Sequence, residues 1–261
     1  MNLNDFAFFF KSNIIRPLTT EESSYLLPID KTITKKHDRA LLLLHGFSSS
    51  PAVFRGMLPQ FKGYDRIVCP VLPGHAESIQ AFSTATVQDW RRVAEEQCAM
   101  LVESFKEVTV VGLSLGGVLA LELSQHYKLQ HLHLLAPALK LHYSAHWAWI
   151  AARCLHAVGW QSLQNAGGDI YTAHYQELTY RRLPLTTIIE MLALVDAPKS
   201  LQLTCPTDVF LGTHDKVADS KAIAPLFEHQ KQATLHWLQH SAHILPLDGD
   251  MEIIVQTINN N

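Results

Sequence analysis

One serine in this sequence stands in a setting that could make its hydroxyl reactive. Ser114 lies in the run GLSLGG, with Gly112 two positions before it and Gly116 two positions after it. The preceding Val108–Val111 has the β-branched composition of a buried strand, and an apolar helical pattern opens at Gly117. So tight a strand-to-helix turn raises the hydroxyl above the sheet edge and aims backbone N–H groups at it. The pattern predicts a nucleophilic serine, although a glycine-rich turn with a capping serine has the same spacing.

A serine hydroxyl needs a base to accept its proton, and an imidazole oriented by a carboxylate suits that task near neutral pH. We expect His243 to be the base, because it lies well beyond the last predicted strand, in the following loop. We expect Asp215 to be the acid, because it stands just after another predicted strand. The spacing leaves open Asp208 and Asp219 as the acid and His240 as the base.

The composition indicates a folded globular domain. Of the 261 residues, 48% are hydrophobic and 17% are charged, and the formal net charge is −3 with no basic tract. This balance argues against nucleic acid or another polyanion as a partner. No apolar run reaches about 18 residues, so we expect no transmembrane segment.

Two further features favour a cytoplasmic location. The N-terminus lacks the positive region and long apolar run of a secretory signal, since Asp5 precedes the short run Phe8–Phe10. The cysteines are scattered, with no C-x-x-C pair, which favours buried and reduced thiols. They are Cys69, Cys98, Cys154 and Cys205.

Strands that alternate with helices predict an α/β fold with a mostly parallel central sheet and helices on both faces. The core is expected to comprise residues 39–136 and 199–261. Residues 1–38 form an N-terminal arm, whose Phe-rich stretch either packs on the domain or contacts a membrane surface or a partner. In such a sheet the catalytic and ligand-binding side chains lie on loops at the carboxyl ends of the strands. The polar residues predicted to lie there are His45, Ser114, Asp215 and His243.

Two local patterns predict where helices begin. Ser50 can cap a helix that has Pro51 at its first position and runs to about Phe61. Thr86 and Asp89 have the spacing of a capping box at the start of a second helix.

Between residues 137 and 198 the alternation stops, and we expect a helical cap over one edge of the sheet. One apolar stripe at helical spacing comprises Trp147, Ile150, Ala151, Cys154, Leu155 and Val158. A second comprises Leu185, Ile188, Ile189 and Leu192. The stripes either only pack on each other and on the domain, or also roof an uncharged pocket above Ser114 that suits an acyl chain. The candidate substrate-binding residues are Trp147, Ile150, Leu155 and Ile188.

His131 and His133 point to one face of a predicted strand. We expect no metal site there, because no acidic residue or third histidine has matching spacing along the chain. No metal or cofactor is expected elsewhere.

Four motifs, in this order, resemble the α/β-hydrolase superfamily. They are HGF at 45–47, GLSLGG at 112–117, GTHD at 212–215 and SAH at 241–243. The resemblance covers about residues 38–258 and is nearest to small bacterial carboxylesterases and monoacylglycerol lipases. One departure is PGHA at 73–76, where relatives often have Gly-His-Gly, and it bears on substrate choice more than on mechanism.

The resemblance implies the roles of individual residues. Ser114 would be the nucleophile, Asp215 the orienting acid and His243 the base. The backbone N–H groups of Phe47 and Leu115 would form the oxyanion hole. The segment 137–198 would be the cap over the acyl pocket.

The resemblance also implies a serine hydrolase that cleaves a small-molecule carboxylic ester of a single, medium-length acyl chain through an acyl-enzyme. Thioester hydrolysis, C–C bond hydrolysis and acyl transfer remain open on the same triad, because specificity depends on the cap and loops. A non-catalytic ligand-binding protein is a further alternative, although pure binding has no need of all three residues.

Overall fold

A computed structural model describes all 261 residues. Its strands are β1 (Phe6–Phe10), β2 (Asn13–Pro17), β3 (Ile29–Thr32), β4 (Arg39–Leu44), β5 (Arg66–Cys69), β6 (Glu107–Leu113), β7 (His131–Leu135), β8 (Ser162–Gln164), β9 (Glu177–Tyr180), β10 (Arg182–Pro184), β11 (Thr207–Gly212) and β12 (Ala233–Leu238). Its α-helices are α1 (Ile79–Thr84), α2 (Val87–Ser104), α3 (Leu115–His126), α4 (Ala145–Ala157), α5 (Leu185–Asp196), α6 (Ser220–Ile223) and α7 (Met251–Asn260). None of the helices is both long and apolar enough to cross a membrane.

The central sheet has seven strands in the order β12-β11-β7-β6-β4-β5-β3. Neighbouring strands run parallel except at one edge, where β3 pairs antiparallel with β5. The predicted α/β fold with a mostly parallel sheet and flanking helices is therefore confirmed. The strand β3 was not predicted, and it places part of the expected N-terminal arm in the sheet itself.

Burial explains why the central strands have the composition they do. In β4 the run Ala40–Leu44 is fully buried, because helices and turns cover both faces of the sheet. The helix α3 lies behind β6 and is buried over most of its length. The helix α2 begins at the predicted capping box, in which the Thr86 side chain accepts from the Asp89 N–H and the Asp89 carboxylate accepts from the Thr86 N–H.

The Phe-rich arm packs on the domain. Its strand β1 lies between β2 and β9 in a three-stranded antiparallel sheet, so it joins the arm to the 137–198 segment. Phe6, Phe8 and Phe9 are buried. The guanidinium of Arg16 on β2 lies 3.8 Å from the centre of the Phe8 ring. These rings therefore leave no exposed Phe cluster for a membrane surface or a partner.

The predicted helix from Ser50 to Phe61 is wrong in form. Ser50 caps as expected, since its Oγ accepts from the Ala52 N–H at 3.3 Å. The chain then makes two short 3₁₀ turns, Pro51–Phe54 and Leu58–Gln60, instead of one α-helix. Gly56 and Pro59 interrupt the segment, because glycine disfavours the helix interior and proline lacks the N–H that a continuous helix needs.

The segment 137–198 is helical only in part. Its helices α4 and α5 pack against each other, but three short strands, β8, β9 and β10, lie between them. The strand β9 is held by the backbone of β1, a pairing that no local pattern reveals. Gly168 lies in the intervening loop at φ +78°, where a Cβ atom would stand 2.6 Å from the Phe9 carbonyl carbon.

The expectation of four buried cysteines is wrong for one residue. All four thiols are free, and Cys154 on α4 is exposed, whereas the other three are buried.

Candidate active site

Ser114 stands at the turn between β6 and α3 in a strained backbone conformation. Its φ is +52°, which non-glycine residues rarely adopt. Ideal Cβ atoms at Gly112 and Gly116 would approach backbone oxygens to 2.3 and 2.2 Å. Only glycine fits at these two positions, as the turn geometry predicts. The Ser114 N–H donates to the Leu135 carbonyl at 2.9 Å, which fixes the turn to β7.

His243 lies between Ser114 and Asp215. Its Nε2 is 2.9 Å from Ser114 Oγ, and its Nδ1 is 2.9 Å from Asp215 Oδ2. With a proton assigned to Nδ1, the ring donates to the carboxylate and accepts from the serine hydroxyl. All three side chains are buried. The arrangement can pass the serine proton to the imidazole and stabilise the imidazolium that results.

The carboxylate and the ring are each held by backbone groups. Asp215 Oδ1 accepts from the N–H groups of Val217 and Ala218, both at 2.8 Å, which leaves Oδ2 to face the ring. The His243 N–H donates to the Asp169 carbonyl at 3.1 Å, so the histidine loop is tied to the 137–198 segment.

The alternative acids and base are engaged elsewhere. Asp219 caps α6 by accepting from the Ala222 N–H, and His240 is largely exposed beside Asp250. Asp208 lies near the start of β11, whereas Asp215 follows the end of that strand. The structure brings together Ser114, Asp215 and His243 and none of these alternatives.

Burial of the His243 ring works to lower its pKa. The negative charge of Asp215 and the hydrogen bond to it outweigh burial, with help from the carboxyl groups of Asp169 and Glu177. The pKa of His243 is therefore raised above its ordinary value, because these groups favour the charged ring. Burial also raises the pKa values of Asp169 and Glu177 themselves.

Two residues beside Ser114 have backbone N–H groups that make no hydrogen bond within the chain. Phe47 and Leu115 both line the cavity above the serine. The Phe47 N–H donates no hydrogen bond within the chain, and Leu115 is the first residue of α3, where N–H groups lack partners within the helix. These groups could stabilise an oxyanion that forms on a carbonyl attached to Ser114.

His45 holds the loop that carries Phe47. Its Nδ1 is 2.9 Å from the Gly46 carbonyl, and its Nε2 accepts from the Leu72 N–H at 3.0 Å. Burial lowers the pKa of the ring to about 4, so the ring stays neutral and keeps both contacts. The HGF motif thus positions the Phe47 N–H through its histidine.

A cavity of about 560 Å³ opens above Ser114, and most of its lining is apolar. Its floor includes Phe47, Leu115 and Ile244, and its roof comes from α4 and α5. The dimensions and chemistry suit a short to medium hydrocarbon chain bound beside the serine.

A model of the Alpha/beta hydrolase family matches residues 41–257 of this sequence. The chain belongs to the alpha/beta hydrolase family. Among curated proteins, this hydrolase is similar to the thermostable monoacylglycerol lipase of Bacillus sp. (strain H-257), with 24% identity over 222 residues, 83% of this chain and 87% of the relative. It is also similar to the carboxylesterase of Bacillus subtilis (strain 168), with 22% identity over 231 residues, 86% of this chain and 92% of the relative.

Among solved structures, this hydrolase is similar to one reported for the lipolytic enzymes LipS and LipT, which are metagenome-derived. The TM-score is 0.80 at 22% sequence identity, and the match covers 89% of this chain and 95% of the other. At this identity the likeness establishes the fold.

The helix α4 lines the cavity with only part of its predicted stripe, Ala151 and Leu155. Trp147 is 68% exposed and Val158 is 75% exposed, and Ile150 does not line the cavity. The residues of α4 that line it are Ala148, Ala151, Ala152 and Leu155. The alanines Ala145, Ala148 and Ala152 pack in one cluster with Leu185 and Leu192 of α5, which leaves Trp147 outside. Of the predicted α5 stripe, Leu185, Ile188 and Leu192 line the cavity and Ile189 does not.

Part of the cavity lining is polar, and no sequence pattern predicted it. Asn165, Asp169 and Glu177 belong to this part. The Glu177 carboxyl is buried and accepts from the Gly168 N–H through Oε2, while Oε1 makes no hydrogen bond within the chain. No motif marks these residues, because they reach the site only through the pairing of β9 with β1.

The surroundings of His131 and His133 also differ from expectation. Asp208 Oδ2 lies 2.7 Å from His131 Nε2, and Asp208 Oδ1 lies 2.6 Å from His236 Nε2. The absence of an acidic residue or third histidine at matching spacing therefore does not mean that none lies beside the pair in the fold. Spacing along the chain could not reveal the group, because its members come from three strands that the sheet aligns.

Proposed function

We propose that this hydrolase is a serine esterase that cleaves carboxylic esters of a single acyl chain. The observation that carries the proposal is the buried chain of hydrogen bonds from Ser114 through His243 to Asp215 at the floor of an apolar cavity. The names of the two curated relatives, a monoacylglycerol lipase and a carboxylesterase, support the same class of reaction.

In the proposed acylation step, His243 Nε2 takes the hydroxyl proton as Ser114 Oγ attacks the ester carbonyl carbon. The carbonyl oxygen becomes an oxyanion, which the N–H groups of Phe47 and Leu115 stabilise. The intermediate then collapses, the bond to the alcohol oxygen breaks, and the imidazolium gives its proton to that oxygen. The acyl group stays on Ser114 as an ester.

Deacylation repeats these steps with water in place of the alcohol. His243 takes a proton from the water, whose oxygen attacks the acyl carbonyl carbon, and the proton passes to Ser114 Oγ as the acyl bond breaks. Throughout, Asp215 holds the ring in one tautomer and stabilises its charged form.

The lining of the cavity divides the proposed substrate into two parts. The apolar walls from Leu155, Ile188 and Leu192 suit the acyl chain, because each buried methylene contributes about 0.8 kcal/mol. The polar lining residues Asn165 and Glu177 suit a small hydroxyl-bearing alcohol. Its hydroxyl can donate to Glu177 Oε1, which makes no hydrogen bond within the chain. A monoacylglycerol has both parts.

A substrate panel tests the proposal. We expect kcat/KM for p-nitrophenyl esters to rise from acetyl to medium-chain acyl groups, and monoacylglycerols to be hydrolysed. Ser114→Ala should abolish both activities. If the wild-type enzyme hydrolyses acyl thioesters but no oxygen esters, the proposed substrate class is wrong and thioesters take its place. Failure on every acyl substrate by a folded protein would refute the hydrolytic role.

A further inference from the structure

A second buried polar cluster lies at the opposite end of the sheet from Ser114. Its members are His131 and His133 on β7, Asp208 on β11 and His236 on β12. The sheet register sets His133 beside Asp208, and His131 lies on the same face of β7. Asp208 is four residues before the end of β11, or roughly 13 Å of strand, and Asp215 lies beyond that end. The cluster is therefore separate from the proposed active site.

Three potential ligand atoms converge in this cluster. One ring nitrogen each from His131 and His133 and a carboxylate oxygen of Asp208 all lie within 4.8 Å of one another. His131 Nε2 and His133 Nδ1 are 2.7 and 3.4 Å from Asp208 Oδ2. Ligand atoms around a tetrahedral zinc ion stand about 3.4 Å apart, since each bond is about 2.0–2.1 Å long. The His133–Asp208 distance already has this value, and His131 Nε2 and Asp208 Oδ2 would have to move apart from 2.7 Å to reach it.

The buried ring of His133, which makes no hydrogen bond, points to a missing ligand. The residue has 0% exposure, and neither ring nitrogen makes a hydrogen bond, since Nδ1 approaches Asp208 Oδ2 to 3.4 Å without hydrogen-bond geometry and Nε2 has no polar neighbour in reach. A buried imidazole without partners is costly, and buried polar groups are normally satisfied. The His131 ring stacks on it at 4.5 Å between centroids, which fixes the ring orientation but satisfies no nitrogen.

The remaining groups orient the carboxylate. His236 Nε2 lies 2.6 Å from Asp208 Oδ1, and the Asn261 side-chain N–H donates to Asp208 Oδ2 at 3.1 Å. The His236 ring is itself held by stacking on Phe210. Partners that hold a ligating carboxylate in this way are a regular part of metal sites.

We propose that His131, His133 and Asp208 form a binding site for a divalent transition-metal ion, with zinc the best fit. Two imidazoles and one carboxylate match the donor preference of Zn²⁺, whereas Mg²⁺ and Ca²⁺ prefer oxygen ligands only. A water completes the fourth position, and His236 holds the other carboxylate oxygen of Asp208. The ion joins β7 to β11 near the C-terminal residue, and its role is to stabilise the fold. The proposal is independent of the esterase activity.

Metal titration of the purified full-length chain after EDTA treatment tests the site. We expect one Zn²⁺ to bind per chain and to raise Tm by more than about 3 °C at saturating ZnCl₂. Co²⁺ should give the visible absorption of a tetrahedral site. His131→Gln keeps a polar side chain at a partly exposed position, and it should weaken Zn²⁺ affinity at least tenfold. The matched control His229→Ala, at an exposed histidine, should bind Zn²⁺ as the wild type does.

Two results would overturn the proposal. One is a wild-type chain that takes up no Zn²⁺ and shows no change in Tm, which would make the cluster a metal-free hydrogen-bonded group. The other is a His131→Gln chain, folded by circular dichroism, that binds Zn²⁺ with unchanged affinity, which would place the metal on surface histidines. His133→Leu provides a second check, because it removes a ligand but leaves the His131–Asp208 and His236–Asp208 hydrogen bonds. Its Zn²⁺ affinity should fall as in His131→Gln.

Discussion

The Nε2 of His45 accepts a hydrogen bond from the backbone N–H of Leu72 at 3.0 Å. This contact and the bond to the Gly46 carbonyl hold the loop that carries Phe47, whose N–H is the proposed oxyanion donor. We expect His45→Ala to lower kcat by about 100-fold with little change in KM, because a displacement of about 1 Å in a reacting group costs this much. Steady-state kinetics on a p-nitrophenyl ester measure the two constants.

His45→Gln is the matched variant, because its amide can donate and accept like the imidazole. It should recover part of kcat. Equal losses in kcat for His45→Ala and His45→Gln, with unchanged Tm for both, would show that these two hydrogen bonds do not position the loop.

The pH dependence of ester hydrolysis should reflect the raised pKa of His243. Only the neutral ring can accept a proton, so kcat/KM should rise with pH through an apparent pKa above about 6.5, the ordinary value for histidine. Asp215→Asn removes the charge that favours the imidazolium. It should reduce kcat by three to four orders of magnitude, as is typical of triads, and shift the residual profile toward lower pH.

A profile in Asp215→Asn with the wild-type midpoint would contradict this electrostatic account, even if the rate falls. His240→Ala is the control, since its ring lies outside the hydrogen-bonded chain, and its profile should match that of the wild type.

The glycines around Ser114 should be intolerant of substitution. A Cβ atom at Gly116 would lie 2.2 Å from the Leu44 carbonyl oxygen, so Gly116→Ala should destabilise the fold by several kcal/mol and lower Tm sharply. Gly159→Ala is the control, because no atom lies within 4 Å of its Cβ position and its only cost is a positive φ, about 1–2 kcal/mol. Thermal unfolding of the two variants should rank them in this order.

Leu155 and Trp147 lie on the same cap helix but should differ in their effect on chain-length preference. Leu155 lines the cavity, so Leu155→Ala should lower kcat/KM for medium-chain esters about tenfold, the equivalent of about two methylenes, and change acetate ester hydrolysis little. Trp147→Ala should leave both unchanged, because the tryptophan is exposed. If Trp147→Ala were the variant with altered preference, α4 would face the cavity as its sequence pattern first indicated.

The sequence predicted those features that depend on local patterns. The turn at Ser114 needs small residues at fixed offsets. The β-branched run before it indicates β6, and the apolar helical pattern after it indicates α3. His243 and Asp215 could be chosen because a parallel sheet sets the carboxyl ends of its strands at one edge. These features depend on chain order and short motifs, both of which are visible in the sequence.

The features that escaped prediction depend on contacts between distant segments. Glu177 reaches the cavity only because β9 pairs with β1, more than 160 residues earlier in the chain. Asp208 meets His133 only through the register of β11 on β7. The prediction for α4 was right for Leu155 and wrong for Trp147 and Ile150, because all three fit one apolar stripe and only the packing of alanines on α5 decides among them.

Labelling with a fluorophosphonate tests the central claim most directly. The probe reacts with a serine whose proton an adjacent base can take, so it reports the Ser114–His243 pair without assuming a substrate. Intact mass and peptide mapping should find one adduct per chain, located on Ser114 and absent from Ser114→Ala. A folded wild-type chain that takes up no probe, or that carries the adduct on another serine, would contradict the account.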